Sequence, residues 1–92
     1  MEQLLKEKLS NLADFLITIC KDDKKKKDID ESMRDMSLCK MILFINFLDE
    51  TKVDGQINDF IKLFSLEDNQ SNKDYIKDYI EYFIKVKNIL NK

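Results

Sequence analysis

A single glycine and no proline in 92 residues restrict what this chain can fold into more than any other feature. Tight reversals between strands need residues that take positive φ or fix φ in advance, and only Gly55 supplies one. An all-β domain of this size is excluded on those grounds, and the apolar residues recur at helical spacing almost throughout. The sequence therefore reads as all-α: a compact four-helix bundle-like domain with a short third helix, occupying residues 1–92 as one unit.

The first helix is expected over about 2–20, where Leu5, Leu9, Leu12, Leu16 and Ile19 follow one another at spacings of 4, 3, 4 and 3. That spacing makes one buried stripe. From Lys21 to Glu31 only Ile29 is apolar among five lysines and five acids, so 21–30 reads as a flexible, solvated loop. The second helix spans about 29–49 and opens either at an acidic capping pair, Asp28 and Glu31, or later at Ser37. Its body, Leu38 to Leu48, is apolar on nearly every side, the pattern of a central and most buried helix. Asp54-Gly55 marks a turn before a short third helix, about 56–66, built on Ile57, Phe60, Ile61 and Phe64. Ser71 with Asp74 resembles a capping box for a fourth helix over about 72–90.

The fourth helix carries more apolar surface than one core contact requires. At 100° per residue, Ile76, Ile80, Phe83, Ile84 and Leu90 fall on one flank, and Tyr75, Tyr79, Tyr82, Val86 and Ile89 on the adjoining one. Together the two flanks cover about 220° of the helix, roughly twice a minimal core-facing stripe. A helix wedged between two neighbours would use both flanks. Otherwise the tyrosine flank is the candidate partner surface, because Tyr buries a ring while its hydroxyl stays wet.

Charge and composition narrow the chemistry. Sixteen basic against 18 acidic residues leave a net charge of −2, without the basic footprint of a nucleic-acid binder. The Lys24–Lys27 run is nearly cancelled by Asp22, Asp23, Asp28 and Asp30 beside it. With no histidine and two isolated cysteines, Cys20 and Cys39, neither a metal site nor an imidazole-activated nucleophile can be assembled, and no cofactor is called for. One glycine cannot build a phosphate-cradling loop. The longest apolar run, Met41 to Leu48, falls well short of the roughly 20 residues that span a bilayer. The opening residues do not form a secretory signal, so a reducing cytoplasm is expected. Fifteen lysines to one arginine, eleven isoleucines and seven asparagines fit an AT-rich genome, such as that of a virus or phage with small accessory proteins.

Two segments resemble known families. Val53-Asp54-Gly55-Gln56-Ile57-Asn58-Asp59-Phe60 is similar to the loop and exit of a calmodulin-type EF-hand. With Gly55 at the sixth loop position, however, Lys52 and Ile61 stand at the third and twelfth, where calcium needs oxygen ligands. The order of helices, with a polar loop before Ser37-Leu38, resembles the acyl and peptidyl carrier proteins. In that family an Asp-Ser-Leu triplet opens the second helix and its serine carries phosphopantetheine, which implies Ser37 as the attachment point. Here the triplet reads Met36-Ser37-Leu38, with Asp35 displaced by one position.

These observations lead to the expectation of a non-enzymatic protein-interaction domain: an adaptor, an inhibitor or a small subunit of a viral, phage or cellular assembly. Its partner is another protein or a second copy, met through Tyr75, Tyr79, Tyr82, Val86 and Ile89. A carrier domain loaded at Ser37 is the alternative.

Overall fold

The computed structural model describes residues 2–92. Five α-helices follow in order: α1 (Glu2–Ile19), α2 (Asp23–Ile29), α3 (Leu38–Phe47), α4 (Val53–Leu63) and α5 (Gln70–Leu90). A π-helical turn, Asp30–Arg34, continues α2. Among the described residues there is no strand beyond one isolated antiparallel bridge between Cys20 and Leu66. The all-α expectation is met, with one more helix than the periodicity suggested.

That extra helix replaces the loop expected over 21–30. Asp22 caps it, accepting a hydrogen bond from the Lys24 N–H at 2.9 Å, so an acidic residue stands where the helix dipole favours negative charge. The helical path runs on through the π-helical turn, and Arg34 stands in its last turn, where positive charge is favoured. The single apolar residue of the segment, Ile29, is fully buried and anchors the helix to the core. Met33, in the π-helical turn, supplies a second anchor. Arg34 then ties this turn to α1: its guanidinium donates to Asp30 at 2.5 Å, to Asp14 at 2.6 Å and to Ser10 at 3.3 Å. The bond to Asp30, and after it the bond to Asp14, raise the Arg34 pKa.

The core forms where α1 lies antiparallel to α5. Phe15 stacks on Tyr75 with ring centroids 4.1 Å apart, and Lys8, two turns earlier, lies over the Tyr82 ring at 5.1 Å. Leu5, Leu9, Leu12 and Leu16 point inward as their spacing requires and meet Ile76, Ile80 and Phe83 of α5 in one apolar cluster. Phe44 of α3 joins it by packing edge-on against Phe83, 5.8 Å away, and against Phe60 of α4 at 6.2 Å.

Both ends of α4 are fixed by specific bonds. Gln56, the one buried polar side chain among the described residues, donates to the Phe47 carbonyl at 2.9 Å and accepts from the Asp49 N–H at 3.1 Å. It thereby ties the exit of α3 to the first turn of α4. At the other end Ser65 takes a left-handed conformation, φ 52°, while the Leu66 N–H bonds back to the Ile61 carbonyl at 3.0 Å. This is a Schellman-type stop with serine where glycine is usual. The chain then pairs with the end of α1 through Lys21 N–H to the Ser65 carbonyl and Glu67 N–H to the Ile19 carbonyl.

Candidate protein-contact surface

The second correction concerns the helix expected to be the most buried. The stretch read as one helix over about 29–49 is divided: Asp35 to Ser37 leave the helical path, and α3 begins only at Leu38. Ser37 is its N-cap, accepting a hydrogen bond from the Lys40 N–H at 3.2 Å. Within α3 only Met41 and Ile45 are buried, with Phe44 half-buried beside them. The opposite side is open. Leu43 is 65% exposed and Phe47 63%, with Leu38 at 43% and Ile42 at 37%.

The physical reason is the number of neighbours. A helix that is apolar on every side is buried only if other elements surround it, and here α2 and the π-helical turn pack on α1 while α4 and α5 meet α3 from one side. At 100° per residue, Leu38, Ile42, Asn46, Cys39, Leu43 and Phe47 occupy one continuous half of the α3 surface, about 180°. Lys40, at the edge of that arc, carries the helix's one charge. Cys39, a free and exposed thiol, sits within it.

The tyrosine flank of α5 fares differently. Tyr75 is exposed but stacked on Phe15, while Tyr79 and Tyr82 are half-buried against the core cluster. Tyr75, Tyr79 and Phe83 form a ladder of rings at 5.5 and 6.5 Å. Burial, and then the neighbouring Tyr75 hydroxyl, push the Tyr79 phenol up to about 12. Val86 lies in the core, which removes it from any exposed surface. Ile89 is exposed near the end of α5. Leu90, expected on the core flank, is 47% exposed in the last turn of α5. Most of the flank thus wedges against α1, and the excess apolar surface that the sequence assigned to α5 is largely carried by α3.

Other candidate chemistry is dispersed. The segment similar to an EF-hand loop is the first two turns of α4, and no group of three metal-ligating side chains occurs among the described residues. A groove between the start of α4 and α5 is lined by Lys52, Lys77 and Lys85, opposed by Glu50, Asp54 and Glu81, so its charges cancel. Ser37 is exposed, and its hydroxyl oxygen serves the cap of α3. No helix among the described residues is long and apolar enough to cross a membrane.

Compared with known proteins, the chain matches no protein family, no curated protein and no solved structure.

Sequence reasoning missed Leu38, Ile42, Leu43 and Phe47 because all-round hydrophobicity was equated with burial. A usable signal was present. Four other segments already supply apolar stripes to the core of a 92-residue chain, and so small a core cannot also surround a ten-residue helix.

Proposed function

We propose that this chain is a non-enzymatic protein-interaction domain, an adaptor, inhibitor or small subunit of a larger assembly, that works by burying the outer face of α3. The observation that carries this reading is the uncharged half-helix of Leu38, Ile42, Leu43 and Phe47, exposed while twenty other apolar side chains form the core. Those four residues expose roughly 400 Å² of surface, about the size of the largest apolar patch on an ordinary small protein, a patch that is often functional. Phe47, at the C-terminal end of the patch, is an aromatic side chain of the kind enriched at interfaces.

The working compartment proposed is a reducing cytoplasm, where Cys39, in the middle of the face, stays a thiol. The reading is non-enzymatic because the face offers shape and apolar area in place of reacting groups. Its partner is a protein, since nothing on the α3 face presents the positive charge that nucleic acid requires.

Affinity capture from the source cell, with an untagged copy of the chain co-expressed, tests it. The tagged wild-type protein should retain a polypeptide, a second copy included, that Phe47→Asp does not retain. Phe47 is 63% exposed, so the variant should keep its helical circular dichroism. Identical proteins retained by both would overturn the reading.

A further inference from the structure

We infer that the occupant of the α3 face is a basic amphipathic segment of another protein, one that sets apolar side chains against Leu43 and Phe47 and a lysine or arginine in the groove beside Phe47. The inference rests on the interaction reading above and names the chemistry of its partner. Three observations carry it.

The first is where the aromatic ring sits. Leu43 and Phe47, one turn apart on α3, are the two most exposed apolar side chains of the face. Phe47 also lines a groove of about 550 Å³ between the end of α3 and α4, together with Asp49, Lys52, Gly55, Gln56 and Asp59. A long cationic side chain lays its stem on apolar surface and keeps its head at a polar edge, and an aromatic face attracts the cation itself. This groove offers both an exposed ring and two carboxylates.

The second is charge. Asp49, Glu50 and Asp59 enter no ion pair among the described residues. The N–H and hydroxyl of Thr51 donate to one Asp49 oxygen at 2.9 and 2.8 Å, which holds that carboxyl below its ordinary pKa and keeps it charged. Lys52 is the one cation lining the groove, and Lys87 of α5 is turned to the carbonyls that end α3. The C-terminal end of the face is therefore acidic, and it repels nucleic acid and anionic lipid alike. A second copy does not supply the missing cation: an antiparallel pair sets Asp35 against Glu50, and a parallel pair sets Asp49 against Asp49. Lys40, two turns before Phe47 on the same side of α3, adds a direction, because the partner's basic end is drawn to Phe47 and away from Lys40.

The third is the floor of the groove. Gly55, the chain's one glycine, stands in α4 without the positive φ that favours glycine. Glycine weakens a helix interior, and a Cβ at this position would meet nothing within 4 Å, so packing inside the protein does not ask for it either. Its bare backbone leaves the groove open to a side chain brought by the partner.

Fluorescence anisotropy with a labelled amphipathic peptide helix of about five turns, leucine on one face and lysine along its border, tests the inference against a twin carrying glutamate for lysine. At about 0.1 M salt the lysine peptide should bind the intact chain about tenfold more tightly than its twin. Asp49→Asn keeps the oxygen that Thr51 bonds. That variant and Asp59→Asn should each weaken the lysine peptide several-fold, whereas Asp23→Asn on α2 should leave it unchanged. Phe47→Ser and Gly55→Leu should also weaken it, with helical circular dichroism retained. Two peptides bound equally, neither bound, or binding indifferent to Asp49, Asp59 and Phe47 would each overturn the inference. So would light scattering at twice the 11.0 kDa of one copy, if Leu43→Asp abolished it, since the face would then belong to a second copy. If the lysine peptide fails while the capture experiment retains a Phe47-dependent protein, the interaction reading stands and only this inference falls. If the capture retains none, both fall.

Discussion

Lys87 of α5 places its ammonium 2.6 Å from the Leu48 carbonyl oxygen and 3.3 Å from that of Asn46. The last carbonyls of a helix have no partner within it, and a cation beside them also meets the negative end of the helix dipole. One side chain from α5 therefore satisfies the end of α3 and fixes the direction in which its exposed face points. Lys87→Met retains the aliphatic stem but removes the donor. We expect it to cost about 1–2 kcal/mol in urea unfolding. Faster amide exchange should concentrate in the last turn of α3 and the loop after it. A uniform change across α1 and α5 would mean that Lys87 stabilises the chain only through its stem.

Gln56 acts on the same junction from the α4 side. Its amide group donates to the Phe47 carbonyl and accepts from the Asp49 N–H while the side chain itself is buried. Gln56→Leu fills similar volume but leaves two backbone groups with no bond, and a buried unsatisfied group costs about 1–3 kcal/mol. The expected loss is about 2 kcal/mol in a denaturant titration. Gln56→Glu should be milder at low pH, where the protonated carboxyl can both donate and accept. Equal stability of the leucine variant and the parent would contradict this account.

Much of the fold was legible because stripes at helical spacing need no long-range information. Leu5 through Ile19 and Ile76 through Ile84 are buried as their periodicity requires. What the sequence left unread depends on neighbours. Ile29, alone among charges, gave too little periodicity to reveal a helix, yet with Met33, the Arg34 bonds to α1 and an Asp22 cap it holds one against the α1 surface. Leu43 and Phe47 look like core residues in any local window. Only the arrangement of α1, α4 and α5 on one side of α3 leaves them exposed. The tyrosines of α5 were recognised as an added flank, and whether that flank meets α1 or a partner is a tertiary matter that Phe15 decides for Tyr75.

Ser65 is the one non-glycine residue with positive φ among the described residues, at 52°. A side chain in the left-handed region costs on the order of 1 kcal/mol, and the Schellman geometry at the end of α4 imposes that conformation. Ser65→Gly removes the strain while preserving the carbonyl that accepts from Lys21 N–H. Part of the gain is offset by the greater freedom of glycine in the unfolded chain. We expect a net stabilisation of a few tenths of a kcal/mol, seen as a rise of about one to three degrees in Tm. Ser65→Val should lower Tm, because a β-branched residue tolerates this region poorly.

Tyr79 offers a pH readout of the packing between α1 and α5. Burial first, then the Tyr75 hydroxyl and the charges of Tyr75 and Asp14, raise its phenol from 10.0 to about 12. The folded chain thus holds this proton more tightly than the unfolded chain does. The stabilisation is fully present below pH 10 and is lost as pH rises toward about 12, because the unfolded state ionises first. Ultraviolet titration of the wild type should show one of the three tyrosines ionising about two pH units after its ordinary value. That late step should vanish in Tyr79→Phe, which should also lose less stability between pH 10 and 12. Phe15→Ala exposes the Tyr75 ring and loosens the ladder, so it should bring the Tyr79 step back toward 10. Three indistinguishable tyrosine titrations near pH 10 would contradict the half-buried placement of Tyr79, and with it the assignment of this flank to α1 in preference to a partner.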